Sequence, residues 1–161
     1  MALTDEQLVC AFESVTLAAP AFDQVAHVRV GWWYLRHYPL GAAIDRFRTG
    51  IRRFAEANGA GRKYHETITV AYMLAIAERL ADARALDWPA FAVRHPELFQ
   101  RTPSLVDRCY SKAVLDSDRA RATFVMPDLR DDCASRWARL LSRAPEALCA
   151  TLNASVHTAA H

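Results

Sequence analysis

The chain has 161 residues, 52% apolar and 24% charged, with a net charge of +2. One domain is the expected organisation at that length, and so balanced a charge argues against a nucleic-acid or membrane-surface partner. Five glycines and seven prolines, well below average usage of roughly 12%, exclude a collagen-like, linker-rich or disordered chain.

Thirty alanines, and eighteen arginines against two lysines, fit a GC-rich coding sequence and carry no arginine-specific recognition. Both residues are strong helix formers, so the bias pushes the chain towards helix. The acidic, polar start Thr4-Asp5-Glu6-Gln7 lacks the basic and apolar character of a secretory signal, and no run of 18 apolar residues occurs. A cytoplasmic protein without a membrane span is expected. Its cysteines, Cys10, Cys109, Cys133 and Cys149, have no CxxC or zinc-finger spacing, so free and mostly buried thiols are expected.

In chain order, Thr4 and Gln7 have the spacing of a capping box, with Leu8, Phe12 and Val15 at helical intervals up to Pro20. From Ala21 to Arg36 the pattern fits both periods. Val28, Val30, Trp32 and Tyr34 alternate like a strand, whereas Val25, Val28, Trp32 and Leu35 share a helix face. The run of about 15 residues without a turn signal is too long for a strand, which decides for helix. Leu40, Ile44, Phe47, Ile51 and Phe54 make an apolar stripe that ends at Asn58-Gly59-Ala60-Gly61.

Tyr64 to about Leu86 reads as the longest helix. It is uncharged from Thr67 to Ala77, the mark of a helix buried on all sides. Short helices are expected over about 88–94, 96–100, 103–114 and 118–125, each opened by a capping residue or proline, then over 131–143 and 145–153 before a fraying tail. The expected fold is all-α. A multi-helix bundle over 1–130 surrounds the central helix, and 131–161 is an appended C-terminal piece.

Of the six histidines, His157 and His161 fall at a terminus, His95 precedes a proline, and His37 ends a helix; all four have ordinary structural readings. His65 opens the central helix, where the positive end of the helix dipole favours a neutral imidazole, the form a metal ligand or a base needs. Thr69 and Tyr72 extend its face as a polar stripe. His27 lies mid-helix, with Asp23 one turn earlier to hold one ring nitrogen and Gly31 one turn later leaving room, although helix packing also accounts for a glycine there.

His27 and His65 are therefore expected to converge on an interior pocket, with Tyr72, Thr69 and Trp33 as further lining. Asp23 and Glu66 would complete a metal set with the two histidines, for a divalent ion such as iron or zinc. No Glu-x-x-His pair or His-Glu-x-x-His run supports a regular site, and the competing view is two satisfied core histidines. Other motifs read as plain structure: Asn58 to Lys63, which looks like an anion loop but lacks a preceding strand, as a helix stop; Arg46, Arg48, Arg52 and Arg53 as a solvated face instead of a phosphate site; and Asp128, Asp131 and Asp132 as a solvated loop instead of a cation site.

The stretches Phe22-Asp23-Gln24-Val25-Ala26-His27 and Tyr64-His65-Glu66-Thr67-Ile68-Thr69 resemble small bacterial helical proteins of unknown function. That likeness spans about residues 20–130 and implies no activity or cofactor. Two functions are thus expected. One is a domain binding a small molecule or metal through His27 and His65, with non-haem metal oxidation as its enzymatic form. The other is a non-catalytic interaction or homodimerisation module in which Trp32, Trp33 and phenylalanines bury a partner helix or form a dimer seam, with Trp137, Leu140, Leu141 and Leu148 of the C-terminal piece as the docking element.

Overall fold

A computed structural model describes residues 1–144. Helix α4, Glu66–Leu80, is the axis around which the other elements pack. Val70, Ala71, Met73, Leu74, Ala75 and Ile76 are completely buried, as an uncharged helix surrounded by others requires. Helices α2, Gln24–His37, and α3, Leu40–Ala57, lie against it and against each other. Helix α1, Asp5–Glu13, closes over both. Short helices follow: α5 Trp88–Arg94, α6 Leu105–Cys109, α7 Lys112–Leu115 and α8 Asp118–Ala122; α9, Asp131–Ser142, returns to α4. All nine are α-helices, and no strand occurs among the described residues: the fold is all-α.

Local rules fix most helix starts. Thr4 and Gln7 close their capping box, and Asp23, Asp87, Ser104, Ser111 and Ser117 each accept a backbone N–H at the head of a helix. Several ends differ from expectation. Helix α1 stops at Glu13, where Ser14 Oγ donates to the Cys10 carbonyl and Val15 turns left-handed at φ 57°. Helix α4 stops at Leu80 instead of Leu86, because the next five residues form turns and Arg36 of α2 takes the Leu86 carbonyl at 2.5 Å. The helix expected over 103–114 is broken between α6 and α7, where Tyr110 is extended, fully buried, and donates to the Val125 carbonyl.

Gly31 serves packing. A Cβ there would lie 2.9 Å from Met73 Sδ and 3.1 Å from Ile76 Cδ1, so the missing side chain lets α2 approach α4. Gly50 does the same against the ring of Phe12. The arginine face of α3 is exposed at Arg46, Arg52 and Arg53, as a solvated face requires, and it also makes specific contacts. Arg48 and Arg52 reach the buried Glu66 at 3.0 and 2.9 Å, Arg46 lies over the Tyr38 ring, and Arg53 donates to the Glu13 carbonyl.

Trp137 and Leu141 of α9 also differ from an exposed seam. Both are buried in the core, with Trp137 Nε1 donating to Glu78 of α4. Leu148, Cys149, the 145–153 helix, the tail, His157 and His161 lie outside the described residues.

Candidate functional site

One cleft gathers several of the singled-out side chains. About 230 Å³ in volume, it lies between α2, α3 and α4 and the segment leading into α4. Val28, Phe47 and Ile76, all buried, form its floor. His27 and Gln24 line it from α2, Ile51 from α3, and Ile68, Thr69 and Tyr72 from α4. The connecting segment adds Tyr64, buried His65 and exposed Lys63. His27 and His65, distant in sequence, thus both line this cleft.

The two imidazoles are in different chemical situations. His65 is the N-cap of α4, one position before the first turn. Its Nδ1 accepts from the Ile68 N–H at 3.3 Å, and its Nε2 faces the Leu115 carbonyl at 2.8 Å. A carbonyl only accepts, so Nε2 carries the proton and the ring is neutral with both nitrogens engaged. His65 is therefore a structural cap that presents a ring edge to the cleft.

His27 uses only one nitrogen. Its Nδ1 lies 2.7 Å from the Asp23 carbonyl, and Phe22 stacks on the ring with centroids 3.8 Å apart. Nδ1 is thus the donor, and Nε2 keeps a lone pair with no hydrogen-bond partner among the described residues. Burial lowers the pKa of His27 below its ordinary value, against the raising influence of the Asp23 carbonyl and carboxylate. At neutral pH the cleft is therefore offered a neutral acceptor.

The remaining expected residues divide. Thr69 and Tyr72 line the cleft with His65, and Thr69 Oγ1 donates back to the His65 carbonyl. Burial raises the Tyr72 phenol pKa, so it stays protonated and able to donate. Trp33 does not line the cleft; it stacks on His37 at 3.9 Å. Six residues beyond His27 is 240° around a helix, which aims Trp33 elsewhere.

The proposed metal set does not assemble. Asp23 caps α2 with its carboxylate, and its backbone carbonyl, not the carboxylate, orients His27. Glu66 is committed to Arg48, Arg52 and Tyr64. Among the described residues no three His, Cys, Asp or Glu side chains group to hold an ion. Of the acidic residues expected in a loop, Asp131 and Asp132 instead open α9; Asp128 accepts from Ser111 N–H, and Asp132 from Arg130 and Arg136.

Sequence reasoning missed Gln24, Lys63, Tyr64 and the apolar floor. Gln24 and Val28 flank His27 on one face of α2, and Ile68 and Ile76 continue the His65–Thr69–Tyr72 stripe, so helix periodicity carried that much. Phe47 and Ile51 come from a third helix, which no local pattern connects to the other two. Comparison with protein-family models, curated proteins and solved structures finds no match to this chain. Among the described residues, no helix is long and apolar enough to cross a membrane.

Proposed function

We propose that this chain is a small-molecule-binding domain, with the cleft between α2, α3 and α4 as its site. The observation that carries this reading is the free acceptor Nε2 of His27 on the wall of a cavity that also offers Gln24, Thr69 and Tyr72 above a floor of Val28, Phe47 and Ile76. Ligand sites are mostly apolar hollows with a few convergent polar groups, and this cleft has that character. At about 230 Å³ it is somewhat smaller than the roughly 300–1,000 Å³ of drug-sized sites, which suits a compact ligand. Phe47, Ile51 and Ile76 take its apolar body. His27 Nε2 accepts from a hydroxyl, amide or amine on it, and Lys63 at the rim favours an anionic tail.

The test is a thermal-shift and ligand-detected NMR screen of small aromatic and aliphatic alcohols, amides and acids. Binders are expected to move the ring resonances of His27 and Tyr72 and to be lost in Thr69→Trp, whose indole fills the cleft. Binders that leave both rings unmoved, or that bind Thr69→Trp equally well, overturn the assignment. So does a screen that yields none.

A further inference from the structure

Away from that cleft, two cysteines meet. Cys109, at the end of α6, and Cys133, in the first turn of α9, have their Sγ atoms 2.9 Å apart. Both are free and buried, and 24 residues separate them. The separation is about 0.9 Å longer than a disulfide bond of roughly 2.05 Å, so closure needs little displacement. The two residues are 4% and 6% exposed. Both residues line a second, smaller cavity of about 100 Å³ whose wall carries Arg79, Arg108, Arg130 and Arg136 together with Glu78 and Glu97.

We propose that Cys109 and Cys133 form a redox pair, converted by a hydroperoxide into a disulfide that ties α9 to α6. Arg136, itself paired with Glu78 and Asp132, places Nη2 4.0 Å from Cys133 Sγ, so a cationic group faces the sulfur assigned the first attack. Burial, reinforced by Cys133, pushes the Cys109 thiol up to about 12, so Cys109 is the protonated partner. Cys133 attacks the nearer peroxide oxygen; the O–O bond breaks, and the other oxygen leaves as an alcohol or water after taking a proton. Cys109 Sγ then attacks the sulfenic sulfur of Cys133. The S–S bond forms as the S–O bond breaks, and the departing hydroxide takes the Cys109 proton as water. Two thiols and one hydroperoxide thus give one disulfide, one alcohol or water, and one further water.

The test uses the full chain with Cys10→Ser and Cys149→Ser, leaving only this pair, treated with hydrogen peroxide. The expected product is a within-chain peptide link between Cys109 and Cys133 by mass spectrometry, reversed by dithiothreitol. The thermal midpoint is expected to rise by about 5 °C, because the link constrains the unfolded chain. Adding Cys109→Ser should leave a sulfenic acid on Cys133 that dimedone captures; adding Cys133→Ser should leave none on Cys109. Both thiols still open to alkylation after peroxide, links formed only between chains, or sulfinic acid without a disulfide would each overturn the proposal.

Discussion

His65 Nε2 donates to the carbonyl of Leu115, 2.8 Å away and 50 residues along the chain. The same ring caps α4 through Ile68, so one side chain fixes both the start of the central helix and the α7 segment across it. His65→Ala removes a cap and strands the Leu115 carbonyl. The expected loss is about 2 kcal/mol in urea denaturation. His65→Asn, which restores the cap but does not reach Leu115, should recover roughly half of it.

Glu66 is bound by two arginines of unequal exposure: the Arg48 side chain is 22% exposed and that of Arg52 is 45%. Screening by water weakens the second pair more. Double-mutant cycles with Glu66→Gln should give a coupling of about 1–2 kcal/mol to Arg48 and below about 0.5 kcal/mol to Arg52. Equal couplings would show that exposure does not set the difference.

The depressed pKa of His27 makes stability pH-dependent. Between the lowered folded value and the unfolded value near 6.5, the unfolded chain binds more protons. Stability is therefore complete above the unfolded value and falls as pH drops through this window. Thermal midpoints at pH 7.5 and 5 should differ less in His27→Gln than in the parent chain. An NMR titration placing His27 at or above 6.5 would contradict this.

Two glycines separate a yielding contact from a rigid one. A Cβ at Gly31 comes within 2.9 Å of Met73 Sδ and 3.1 Å of Ile76 Cδ1, atoms of aliphatic chains with several torsions, whereas at Gly50 it meets ring carbons of Phe12 at 2.6 and 2.8 Å. Alanine gains about 1 kcal/mol in helix propensity at either position. Gly31→Ala should come out near neutral, within about 1 kcal/mol, while Gly50→Ala should lose about 2 kcal/mol, since a buried ring has nowhere to go. Chemical denaturation gives the order directly.

Trp137 contributes to its own core, at 1% exposure, against Tyr110 and Glu78. Trp137→Ala should destabilise the chain by about 3 kcal/mol. Analytical ultracentrifugation should find the association state of the folded variant unaltered, because the lost contacts lie within one chain.

The sequence alone determined the all-α class, the capping box of Thr4 and Gln7 and the buried character of α4, because each follows from periods and hydrogen bonds spanning a few residues. The stripe His65, Thr69, Tyr72 was legible for the same reason. Tertiary structure decided what those side chains do. Packing in three dimensions set α2 beside α4 with only a glycine's width between them, engaged both nitrogens of His65 and left one of His27 free. It also turned the arginines of α3 onto Glu66 and brought Cys109 to Cys133. Such pairings join residues tens of positions apart; their partners follow from how helices cross and which side chains fill the space between, not from spacing along one helix.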